Sequence, residues 1–108
     1  MKLAAIALAA LCGVAQAETA YIPGEFVCAG TPSTAQCSLP DGSAFGSPTA
    51  VVYAAPAVAT NFHVVQTFTV TLQPAATLTG TMFKSRSGSG RGGWAWHTYY
   101  SYDALTVY

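Results

Sequence analysis

Charge is what this chain has least of. Only 7% of its 108 residues are Asp, Glu, Lys or Arg, and the formal net charge is zero. So little charge leaves no overall field to gather nucleic acid or an anionic membrane, and nucleic acid drops out as a partner. Histidine is almost as scarce, with two copies. His63 and His97, with a few acids and serines, are therefore all that catalysis could be built from. The Gly-x-Ser-x-Gly, His-Glu-x-x-His and calcium-loop spacings are absent, and no Gly-Lys-Ser/Thr closes a phosphate loop. On one strand His97 and Asp103 would share a face yet stand about 20 Å apart. The expectation is a non-enzyme with no cofactor and no metal.

Uninterrupted helical stretches are missing as well. Pro23, Pro32, Pro40, Pro48 and Pro56 punctuate the first half. Each removes a backbone donor and bars a helix interior. Pro23-Gly24, Pro40-Asp41-Gly42 and Gly46-Ser47-Pro48 supply turn chemistry between short extended pieces. Strands are expected at Glu25 to Ala29 and Thr49 to Ala54.

The one long apolar run sits at the start. Lys2, the uncharged stretch Leu3 to Val14 and the triplet Ala15-Gln16-Ala17 have the pattern of a secretory leader, residues 1–17. The run falls short of the roughly 20 residues that a membrane-spanning helix needs. Leu11 before Cys12 is not the small residue a lipidation site requires. Export would leave residues 18–108 as one domain with no membrane span. Its charges would be Lys84, Arg86 and Arg91 against Glu18, Glu25, Asp41 and Asp103, a net of −1. The expected location is secreted, periplasmic or at the cell surface. In that oxidising setting Cys28 and Cys37, the two cysteines beyond the leader, are expected to form a disulfide. A ring that short contributes about 2.5–3 kcal/mol under the loop-closure relation.

The second half carries the strongest strand signal. Phe62, Val64, Gln66, Phe68, Val70 and Leu72 fall on one face at period two, and His63, Val65, Thr67, Thr69 and Thr71 on the other. The Phe side is expected to face the core and the Thr side solvent. Gln73-Pro74-Ala75 turns the chain into a partner strand, Ala76 to Phe83. Further strands are expected at Trp94 to Tyr102 and Ala104 to Tyr108, making about six in all. The fold class is all-β, a small β-sandwich or jelly-roll-like domain with one disulfide.

Two adjoining segments carry functional promise. Lys84 to Gly93, Lys-Ser-Arg-Ser-Gly-Ser-Gly-Arg-Gly-Gly, holds Lys84, Arg86 and Arg91. It reads either as a flexible anion-binding loop or as a solvated hairpin loop. Trp94, Trp96, Tyr100 and Tyr102 then share one face of the next strand, with His97, Tyr99, Ser101 and Asp103 on the other. Such a row is either an aromatic platform for sugar rings or a protein partner, or part of the core. Tyr102 to Tyr108 resembles the closing strand of secreted β-sandwich modules, including carbohydrate-binding jelly rolls and fimbrial-type subunits. A single-chain membrane barrel would need eight strands of about 9–11 residues plus turns, more than this chain can supply.

The functional expectation is a secreted or surface binding module for carbohydrate or an extracellular protein. Its candidate ligand-binding residues are Lys84, Arg86, Arg91, Trp94, Trp96 and Tyr100. The first alternative is a structural subunit that self-assembles through strand edges. The second is a small secreted hydrolase.

Overall fold

The alternation around Phe68 belongs to the middle of a long antiparallel meander. The computed structural model describes residues 17–88 and 93–108. Residues 1–16, all but the last of the expected leader 1–17, and Arg91 lie outside them. In chain order the strands are β1 (Thr19–Tyr21), β2 (Val27–Ala29), β3 (Gln36–Ser38), β4 (Ala44–Tyr53), β5 (Val58–Ala59), β6 (His63–Gln73), β7 (Ala76–Gly88) and β8 (Trp94–Val107). One turn of 3-10 helix, Pro32–Thr34, interrupts them, and the described residues contain no α-helix.

All eight strands join one antiparallel sheet in the order β1-β8-β7-β6-β4-β3-β2, with β5 beside β6. The sheet curls strongly into a half-barrel. This corrects the expected sandwich or jelly roll: a single sheet rolls over its own concave face instead of packing against a second layer. It also corrects the strand count, since β1, β3 and β5 are too short to leave a period-two signal.

The core lies inside the curl, at one end of the meander. Phe68, Val70, Leu72, Leu78 and Leu105 are fully buried there. The segment from Phe26 to Phe45 covers them, contributing Phe26, Ala35, Cys37, Leu39 and Phe45 to the same cluster. Cys28 and Cys37 are directly opposed in the β2–β3 pair and form the disulfide. The bond therefore closes the hairpin that supplies the cover.

Phe68 is the centre of an aromatic cluster. Its ring lies 5.9 Å from Tyr53, 6.1 Å from Tyr100 and 5.9 Å from Tyr102, between ring centroids. Such tilted and edge-on pairs suit the ring quadrupoles. Gly80 sits opposite Phe68 in the β6–β7 ladder, and the ring occupies the space a side chain would need. The Tyr102 hydroxyl donates to the Gly30 carbonyl and ties the covering segment to β8.

Two sequence-based boundaries move. Lys84 to Gly88 is strand, because Ser85, Arg86 and Ser87 pair with His97, Trp96 and Ala95 in the β7–β8 ladder. The stretch from Trp94 to Val107 is one strand with a register shift beside Thr79 and Gly80, so Asp103 marks a bulge and not a break. Asp103 accepts hydrogen bonds there from Thr81 Oγ1 at 2.7 Å and Ser101 Oγ at 3.0 Å. Both donors lie on the outer face.

Candidate functional site

Beyond the cover, β6, β7 and β8 continue as an arm, flanked on its β6 side by the two-residue β5. Cross-strand register decides which side chains share its faces. On the concave side Val64 stands opposite Lys84 and Lys84 opposite Thr98; Arg86 stands opposite Trp96 and Gly88 opposite Trp94. Phe62 joins this row, because its carbonyl accepts from the Arg86 N–H at 2.8 Å.

Trp94 is 54% exposed and Trp96 47%, so neither indole belongs to the core. Trp94 is nonetheless held. The Phe62 ring meets Trp94 edge-on at 5.7 Å, and the Arg86 guanidinium carbon lies 5.7 Å from the centroid of the Trp94 ring. A cation over an indole at that distance is attracted by the ring's negative face. Rings two residues apart on a strand are about 7 Å apart. The concave side of the arm thus offers two exposed indoles, Trp94 braced in place, with Arg86 and Lys84 beside them. Chemically, such a surface can stack on the C–H face of a sugar or a planar group and donate hydrogen bonds at its margin.

The aromatic row divides along its length. Trp94 and Trp96 lie on the bare arm; Tyr100 and Tyr102 are half-buried against Phe68. Burial pushes the phenols of Tyr53 and Tyr102 above the ordinary tyrosine value, and neighbouring Tyr100 adds to both shifts. Tyr100 is therefore the inner end of the candidate surface. Of the residues singled out from sequence, Lys84, Arg86, Trp94, Trp96 and Tyr100 come to one face, and Arg91 lies outside the described residues. Phe62 was expected in the core with Phe68. It is instead exposed next to Trp94, because the cover does not reach that far. Its position at the end of the alternating run was the only signal available.

The outer face of the arm carries the two histidines. His63 and His97 both stand opposite Ser85, one on each side, so they are two strand spacings, about 9.6 Å, apart. No group of three or more His, Cys, Asp or Glu side chains comes together among the described residues. Asp103 is engaged by Thr81 and Ser101 rather than His97. A separate hollow of about 180 Å³ lies in the covering segment, lined by Gly24, Glu25, Phe26, Val27, Ser38, Leu39 and Pro40. That is smaller than the roughly 300 Å³ at which small-molecule pockets begin. Comparison with protein-family models, curated proteins and solved structures gives no match.

Proposed function

We propose that this chain is an exported, non-catalytic binding module whose bare β arm holds a carbohydrate on Trp94 and Trp96. One observation carries the reading: two half-exposed indoles on the same concave face, one braced by Phe62 and Arg86. Leaving large apolar rings in water forgoes burial worth about 1.5–3 kcal/mol per side chain. Ordered yet uncovered rings are what a stacking surface for sugars requires. Arg86 and Lys84 supply donors for hydroxyl or acidic groups at its edge. The separation of His63 from His97 and the engagement of Asp103 elsewhere favour binding over hydrolysis.

The test is binding to a panel of neutral and acidic polysaccharides by the protein and by Trp94→Ala and Trp96→Ala. Each exchange is expected to weaken binding at least tenfold, equivalent to about 1.4 kcal/mol, with the melting temperature nearly unchanged. The indole fluorescence should be quenched by acrylamide and protected by bound glycan. Undiminished binding by both variants would remove the platform.

A further inference from the structure

The outer edge of β8 is open along most of its length. β1 pairs only with Leu105, Thr106 and Val107. After Tyr21 the turn Ile22–Glu25 takes the chain off the edge: the Glu25 N–H bonds the Ile22 carbonyl, Pro23 offers no N–H, and Gly24 adopts a φ of 96°. Among the described residues, Trp94 to Ala104 has no strand neighbour on that side, a stretch of about 35 Å.

Ladder parity shows which peptide groups are free. The Arg86 N–H bonds the Phe62 carbonyl, so even-numbered residues of β7 bond toward β6 and odd-numbered ones toward β8. The β8 partners of those odd residues are Ala95, His97, Tyr99 and Ser101. The N–H and C=O groups of Trp96, Thr98, Tyr100 and Tyr102 therefore point outward. No proline or lysine guards them, and Asp103 is the one carboxylate in the stretch. The opposite edge is different. It is made of short pieces, β2, the part of β4 beyond its pairing with β3, and β5, with β4 shifted in register between Gly46 and Ala50 and Pro48 and Pro56 beside its free stretch. Those are the usual devices against edge pairing.

We infer that two copies of this chain pair through β8, antiparallel about a two-fold axis at Tyr99. Tyr99 is the midpoint of the open stretch, so this register spends the edge completely and stops where β1 begins. Trp96 meets Tyr102 of the other copy, and Thr98 meets its Tyr100, on the concave side. On the outer side Tyr99 meets Tyr99, and His97 meets Ser101 with Asp103 diagonal to it. No like charges are opposed, and aromatic cross-strand pairs of this kind stabilise a sheet. Because both copies use the same β8 edge, the pairing is isologous and closes at two copies rather than running on. The inference stands apart from the glycan reading, because it rests on backbone groups and not on the indole faces.

Sedimentation of the purified protein is expected to give twice the chain mass. Thr98→Pro removes an outward N–H, which an edge strand tolerates, and should halve that mass while leaving the circular dichroism unchanged. Cysteine exchange provides a second reading that does not depend on proline. At a non-hydrogen-bonded antiparallel pair the Cα atoms are about 4.5 Å apart, within disulfide range. Tyr99→Cys should therefore cross-link two chains under mild oxidation, and His97→Cys should not. A monomer at the highest soluble concentration would overturn the pairing, as would cross-linking at His97→Cys but not at Tyr99→Cys. Open-ended oligomers would overturn the closed two-fold.

Discussion

The two halves of the β6–β7–β8 meander differ in what lies over them, and their side chains follow suit. Under the cover, successive concave positions of β6 are Phe68, Val70 and Leu72, all buried. On the arm, the same face carries Phe62, Val64, Lys84, Arg86, Trp94 and Trp96, exposed or half-exposed. Backbone pairing runs on through both halves in a single ladder. Hydrogen bonding thus extends the sheet farther than the apolar cluster can fill, and the surplus becomes a projecting surface. Stability resides in the covered half, and the proposed binding surface lies on the other.

The sharpest way to break this division is to remove an aromatic ring from each half. Phe68→Ala deletes the ring that packs on Tyr53, Tyr100 and Tyr102 and is expected to cost about 3–5 kcal/mol. In a domain this small that is most of the stability, readable as a lost cooperative transition in urea. Trp96→Ala on the arm should shift the same transition by about 0.5 kcal/mol or less, as exposed substitutions do. Equal losses would mean that the arm is packed after all.

Next in size is the staple of the covering hairpin. Replacing Cys28 and Cys37 together by Ser is expected to cost about 2.5 kcal/mol from loop-closure entropy. The loss should loosen the cover and expose Phe45 and Leu39. Hydrogen exchange should therefore accelerate in β2 and β3 first, and least on the arm, which the cover never protected.

Smaller still is the alkaline response. The Tyr102 phenol is held above its ordinary value by burial, so the folded state favours its neutral form. Its contribution is complete below the unfolded value of about 10 and is lost as pH rises through the higher folded value. Tyr102→Phe should flatten this decline while costing about 1 kcal/mol at neutral pH through the lost bond to the Gly30 carbonyl. Thermal melts between neutral and strongly alkaline pH measure both effects.

Much of the local structure was legible in the chain. The alternation from Phe68 to Leu72 matches the buried set, the turn at Gln73-Pro74-Ala75 joins β6 to β7, and the opposed cysteines bond. Trp94, Trp96, Tyr100 and Tyr102 do share a face. Lys84 to Gly88 reads as loop in the sequence because Ser, Gly and charged residues have low strand propensity alone. Their pairing with Trp94 to Thr98 overrides it. The bulge at Asp103 left no mark, since one inserted residue between two apolar stretches looks like a turn.

Period-two patterning, turn chemistry and cysteine placement are local properties, so the amino-acid order alone determined an all-β chain, its main hairpin and its disulfide. Whether those strands made one curled sheet or two packed layers depended on which edges met, and the same alternation serves either. The exposure of Trp94 and Trp96 was decided only in three dimensions. A ring's burial depends on whether distant residues reach it, and toward the arm the buried cluster ends at Phe68 and Met82, with only Val64 and Tyr100 packed against it beyond them.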